Sequence, residues 1–190
     1  MNQLAKLFKS IFLCFSLLAL PLGSLADERL LPLSDIQVED GDTLILQIDG
    51  ETQRIQLIGI DAPEDVENPK LKVDIARTKL TSEKLLALGE VATQQLRFLI
   101  NNNAPFILHY NPDKRDRYGR LPGDIVNSTG QSMSVLMINN GYAIVTIRST
   151  DTDLIQRLKP LQQKAMDEGK GLWGLNSEDS RLWAGVNYSD

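Results

Sequence analysis

Cysteine and histidine are almost missing from this 190-residue chain, which has one of each, Cys14 and His109. That scarcity excludes zinc fingers, attached haem and disulfide scaffolds, all of which need more thiolate or imidazole ligands. A Ser-His-Asp nucleophile would have to use His109. That residue lies in the run Phe106-Ile107-Leu108-His109-Tyr110 and reads as a half-exposed strand position. With nitrogen and sulfur ligands so scarce, any bound metal is expected to be a hard cation held by oxygen. Repeats and low-complexity segments are absent as well. The 42% hydrophobic and 24% charged residues describe an ordinary globular protein, and the length favours one domain with a core that needs no disulfides.

Long apolar runs are also lacking. Ile11 to Leu20 is apolar apart from Ser16, but ten helical residues rise only about 15 Å and cannot cross a hydrocarbon layer of roughly 30 Å. With Lys6 and Lys9 before this run and Ser24-Leu25-Ala26 after it, residues 1–26 read as a signal peptide cleaved before Asp27. The expected mature form is exported, periplasmic or secreted, free of cysteine and free of the membrane. Losing residues 1–26, with two lysines and no acid, takes the net charge from −5 to −7. A negative balance argues against general adhesion to nucleic acid, so a polyanion would need a local positive patch.

Such a patch exists at Lys114-Arg115-Asp116-Arg117-Tyr118-Gly119-Arg120, four positive charges in seven residues. Arginine forks match phosphate oxygens, and Tyr118 can stack on a base or sugar; a solvated hairpin loop is the plainer reading. Two acidic knots stand elsewhere, Asp40-Gly41-Asp42-Thr43 and Asp61-Ala62-Pro63-Glu64. Antiparallel pairing of their strands would place Asp42, Asp61 and Glu64 in one small volume, where a cation relieves their repulsion. Carboxylate-rich oxygen ligation suits Ca²⁺ first and Mg²⁺ second, although both knots are also ordinary turn formers.

Period-two alternation at Ile36 and Val38, then Leu44, Leu46 and Ile48, a turn at Asp49-Gly50, and Arg54 through Ile60 predicts strand, turn, strand. Residues 65–84 read as an exposed loop. Leu85, Leu88, Ala92, Leu96 and Leu99 predict a helix that stops before Asn101. Further strands are expected at Phe106–Tyr110, Leu121–Val126 and Ala143–Ile147, with a short helix from Met133 to Asn139. A last helix is expected within Asp153–Glu168, kinked or started by Pro160. Trp173 and Trp183 read as packing residues. The class is α+β with an antiparallel sheet; residues 27–34 read as a linker, 35–175 as the domain and 176–190 as a tail.

Taken together, the two acidic knots with Leu57-Ile58-Gly59-Ile60 before the second, then Gly89-Glu90-Val91-Ala92, Asp116-Arg117-Tyr118-Gly119-Arg120, Asn140-Gly141-Tyr142-Ala143 and Gly171-Leu172-Trp173, resemble the staphylococcal nuclease (thermonuclease) family. A fixed tetrapeptide arises by chance about once in 10⁵ positions, so several in the family's order are a specific signal over about residues 35–175. The resemblance implies a five-stranded Greek-key OB-fold β-barrel with three packed helices. It also implies a Ca²⁺-dependent phosphodiesterase acting on DNA and RNA, expected to be a monomer that takes single strands.

By the same resemblance, Asp42, Asp61 and the main-chain carbonyl of Ala62 match the calcium ligands, and Glu64 matches the glutamate that handles the attacking water. Arg120 matches one of two phosphate-gripping arginines, and Tyr118, with Arg117 beside it, the nucleotide contact. At the position of the second arginine this chain has Gln56, which carries no charge. Arg54, about 6.5 Å away on the same strand face, is the candidate substitute. Ile144-Val145-Thr146-Ile147-Arg148 offers less stacking than the family's tyrosine-bearing segment. Two other readings stay open: a non-catalytic OB-fold module binding nucleic acid, a nucleotide or a protein partner, and an interaction domain with no phosphate ligand.

Overall fold

Alternation of buried and outward residues builds the first hairpin. Strand β3 (Thr43–Ile48) buries Leu44, Leu46 and Ile48, and β4 (Glu51–Leu57) buries Ile55 and Leu57 against them. Asp49 and Gly50 join the strands with positive φ at both positions, 54° and 81°, the two-residue turn whose twist matches a hairpin. The pairing runs from Thr43 opposite Gln56 to Ile48 opposite Glu51.

The computed structural model describes residues 27–146 and 151–186; the expected signal peptide, Ile147 and Arg148 lie outside them. Upstream of the hairpin stand β1 (Asp27–Leu31) and β2 (Ile36–Val38). Downstream follow β5 (Ile60–Asp61), α1 (Pro69–Thr78), α2 (Ser82–Asn103), β6 (Phe106–Tyr110), β7 (Leu121–Asn127), α3 (Met133–Asn139), β8 (Ile144–Val145), α4 (Thr152–Asp167), α5 (Leu172–Leu175) and α6 (Ser177–Ala184). Six strands form a sheet in the order β1-β6-β7-β4-β3-β2, with β4 and β7 parallel and the other pairs antiparallel; β5 and β8 pair separately. The sheet is nearly closed and barrel-like, an α+β, OB-fold-like architecture.

The main core lies inside this sheet and under α2, where Leu44, Ile55, Leu96, Phe106, Leu108 and Ile125 are at most fractionally exposed. Helices α1 to α4 each start on a polar side chain that accepts a backbone N–H: Asn68 from Leu71, Thr81 from Lys84, Ser132 from Val135 and Asp151 from Leu154. These caps satisfy donors that a helix start leaves free. Helix α4 runs through Pro160 and begins eight residues before it. No helix among the described residues is long and apolar enough to cross a membrane.

The segment 65–84, expected as an exposed loop, is corrected by the structure: most of it is α1 and the start of α2. Pro69 occupies the first helical turn behind the Asn68 cap, where its missing N–H costs nothing. Leu71 then joins Leu80, Leu85, Leu88, Leu172 and Trp183 in a second apolar cluster. Trp183 belongs to α6, within the expected tail, and Trp173 is buried with Ala165 and Met166. The expected linker residues 27–31 pair with β6 as β1.

Candidate functional site

Close approach of small residues brings the acidic knots together. A Cβ on Gly41 would lie 2.7 Å from the Ala62 Cβ and 2.9 Å from that of Ala92, and one on Gly89 would lie 2.1 Å from the Glu64 carbonyl oxygen. Glycine at 41 and 89 therefore lets both knots rest on α2. Asp42, directly before β3, is buried; its Oδ2 accepts from the Ala62 N–H at 2.9 Å and its Oδ1 from the Thr43 hydroxyl at 3.1 Å. Burial pushes the Asp42 carboxyl well above the ordinary range, Asp40 and Asp61 add to that, and Lys70 and the Ala62 N–H oppose it.

Lys70, in the first turn of α1, puts its ammonium among the remaining acidic groups. Its Nζ lies 2.6 Å from Glu64 Oε1, 3.2 Å from Asp61 Oδ1 and 2.9 Å from the Ala62 carbonyl oxygen. Burial disfavours its charge, but Asp61, Glu64 and Asp42 outweigh that and raise its pKa above the usual lysine value. The Asn68 amide, besides capping α1, donates to Glu64 Oε2. Sequence reasoning missed Lys70 and Asn68. The available signal was Asn-Pro, a cap followed by proline at the first helical position.

Arg120 faces this cluster from the residue before β7. Its Nη1 donates to the Thr43 hydroxyl at 3.0 Å and lies 4.0 Å from Asp42 Oδ1, while its Nε donates to Asp116 Oδ2 at 2.8 Å. Asp116 also accepts from the Tyr118 and Arg120 N–H groups. Burial works against the Asp116 charge, yet these donors overcome it and hold its carboxyl below the ordinary range. The basic loop is thus folded around an acid. Arg115 is tied to the Gly119 carbonyl and Gln53; Arg117 and Arg120 stack on Tyr118 at 4.7 and 5.3 Å.

Asp42, Asp61, Glu64, Arg120 and Tyr118 line one groove of about 1060 Å³, as do Lys70, Arg117 and half-buried His109. Gln56 lines it too, opposite Thr43 in the hairpin and beside Pro122 of β7, and its Oε1 is buried without a hydrogen-bond partner. Arg54 is not part of the lining. Its Nε and Nη2 donate to the two Glu39 carboxylate oxygens at 2.6 Å each, a bidentate pair that holds the guanidinium toward Glu39.

Residues 54–175 match the family model described as "Staphylococcal nuclease homologue". The chain belongs to the staphylococcal nuclease family. An uncharacterized endonuclease of Escherichia coli O157:H7 is 30% identical over 138 residues, 73% of this chain and 74% of that protein. The thermonuclease of Staphylococcus hyicus is 26% identical over 147 residues, 73% of each. Endonuclease YhcR of Bacillus subtilis (strain 168) is 28% identical over 144 residues, so this chain spans 11% of that protein. The range that matches the nuclease family holds Asp61, Glu64, Lys70, Arg120 and Gln56; Asp42 lies upstream of it.

The oxygens around Lys70 have the chemistry that a hard cation selects, two carboxylates and a carbonyl gathered about one positive charge. A metal would therefore find suitable donors in this nuclease-family site. Among the described residues no three acidic, histidine or cysteine side chains are arranged as a ligand cluster, and the point where these oxygens converge holds the Lys70 ammonium.

Proposed function

We propose that this protein is an exported, calcium-dependent nuclease that hydrolyses phosphodiester bonds in single-stranded DNA or RNA. The observation that carries the reading is that Asp42, Asp61 and Glu64, from two distant stretches of the chain, line one groove with Arg120, whose Nη1 lies 4.0 Å from Asp42 Oδ1. Asp42, Asp61 and the Ala62 carbonyl would hold the ion, which when bound supplies Lewis acidity toward a phosphoryl oxygen. Glu64 positions a water and takes its proton as the water oxygen bonds to phosphorus and the ester P–O bond breaks. The departing oxygen is protonated from solvent.

Arg120, held at Nε by Asp116, keeps its Nη1 on the carboxylate side and meets the negative charge that builds on the phosphate. Tyr118, half exposed beside Arg117, offers a ring for a base, a contact worth about 1–3 kcal/mol. Gln56 supplies a neutral amide where the resemblance places a second arginine, and loss of such a donor lowers rate by about 10²–10³. The mature form acts as a monomer without a membrane.

Incubating the mature protein with a single-stranded oligonucleotide tests this reading. Fragments in Ca²⁺ and none in chelator are expected; intact substrate at stoichiometric protein, with binding retained, would favour a non-catalytic binding module instead. Export is tested by the N-terminus of protein recovered outside the cytoplasm: Asp27 is expected, and a retained Met1 contradicts it.

A further inference from the structure

We propose that Lys70 is the resident cation of the carboxylate site: its ammonium fills the point where Asp61, the Ala62 carbonyl and Glu64 converge, and a divalent ion enters only by displacing it. This rests on the metal-binding part of the proposed function.

Three oxygens, from two side chains and one main-chain carbonyl, lie within 2.6–3.2 Å of Lys70 Nζ, which donates a hydrogen bond to the carbonyl and pairs with both carboxylates. The lysine is delivered by a built element. Asn68 caps α1 and at its other side-chain end donates to Glu64. Leu71, the next residue after Lys70, is 2% exposed in the cluster with Leu85, Leu88 and Trp183. The helix start is pinned on both sides, which leaves the flexible four-carbon stem as the part that can withdraw.

Two cations cannot share these oxygens, since like charges at contact distance repel strongly in a partly buried site. The lysine therefore offsets one of the two negative charges it contacts and ties β5 to α1 when no ion is present. It also sets the ion concentration at which the site loads, because apparent affinity falls by the fraction of molecules with the lysine withdrawn.

Calorimetry of Ca²⁺ binding to the full protein and to Lys70→Gln, with thermal unfolding in chelator and in Ca²⁺, tests this. The variant is expected to bind Ca²⁺ about tenfold more tightly, which corresponds to a lysine in place about nine-tenths of the time. It is also expected to unfold at a lower temperature than wild type in chelator and to recover in Ca²⁺. Equal or weaker Ca²⁺ binding by the variant would overturn the proposal.

Acetylation of wild-type lysines, read by mass spectrometry, serves if that variant does not fold. Lys70 is expected to be protected in chelator and reactive in Ca²⁺, and unchanged reactivity overturns the proposal. Cleavage assays on the same samples separate the two claims. A protein whose Lys70 responds to Ca²⁺ but which cuts nothing loses the nuclease reading alone. One that cuts with Ca²⁺ affinity indifferent to residue 70 loses only the resident-cation proposal.

Discussion

The two ends of the groove solve opposite electrostatic problems in different ways. At the carboxylate end, acids are half-buried or buried and share a single lysine carried on α1 as their counter-charge. At the basic end, half-buried Arg120 pairs with Asp116, exposed Arg115 ties back to Gly119 and Gln53, and Tyr118 is stacked beneath the guanidinium groups of Arg117 and Arg120. The first end is set by burial and close backbone contact, so small structural changes there should alter rate. The second is solvated, so single changes away from Arg120 should alter affinity and its salt dependence.

The largest effect is expected where the ends meet. Arg120→Ala should lower cleavage by about 10³-fold or more, the scale of a charge-supplying arginine, with folding verified by circular dichroism; a loss under tenfold would remove Arg120 from the chemistry. Gln56→Arg should raise the single-turnover rate by about 10²-fold, since it would add the missing guanidinium beside Thr43. No gain would mean that Gln56, with its partnerless Oε1, is not the weak point of the site.

Gly89→Ala probes the carboxylate end through backbone alone. The new methyl would meet the Glu64 carbonyl at 2.1 Å, and overpacking of this kind costs about 1–3 kcal/mol. Denaturant melts should show that loss together with reduced cleavage; full activity would break the link between α2 packing and Glu64.

Asp124 supplies a control, a buried acid whose hydrogen-bond partners are Ser132, Ser134 and Ile125 rather than a cation. Burial pushes its carboxyl up to about 6, against the pull of those donors. A folded value above the unfolded one means that the native state holds the proton more tightly, so this group lowers stability as pH rises from about 4 to 6 and leaves the full penalty above that. At about 1.4 kcal/mol per unit, Asp124→Asn should remove a slope totalling up to about 3 kcal/mol across that window. An unchanged slope would show that burial alone does not set this group's behaviour. The smallest effect is expected at the basic end, where Arg117→Ala should weaken oligonucleotide binding a few-fold and reduce the salt slope by about one.

The β3–β4 hairpin, β6, β7 and α3 were legible because their signals are local, whereas β1 and the parallel pairing of β4 with β7 depend on distant partners. Alternating leucines and Asp49-Gly50 specify the hairpin, and Met133–Asn139 matches its expected bounds. The two acidic knots brought Asp42, Asp61 and Glu64 to attention and the basic run brought Arg120, the resemblance then gave them roles, and the fold places them in one groove. Helix α1 was hidden by its charge and by Pro69, which reads as a breaker unless the Asn68 cap is weighed with it. Helix α6 was hidden because its apolar signal in the chain is only Leu182 and Trp183, and its stability comes from Trp183 packing on α1 and α2. Lys70 could not be placed without α1, since its role depends on how far a helix turn carries it back toward Glu64.

Cleavage of single-stranded DNA in ¹⁸O-labelled water, with products weighed by mass spectrometry, tests most directly whether this groove drives attack of water on phosphorus. The expected result is one heavy oxygen per cut in the new terminal phosphate for wild type and a loss of product for Glu64→Gln. Intact substrate, or fragments without the label, would contradict it.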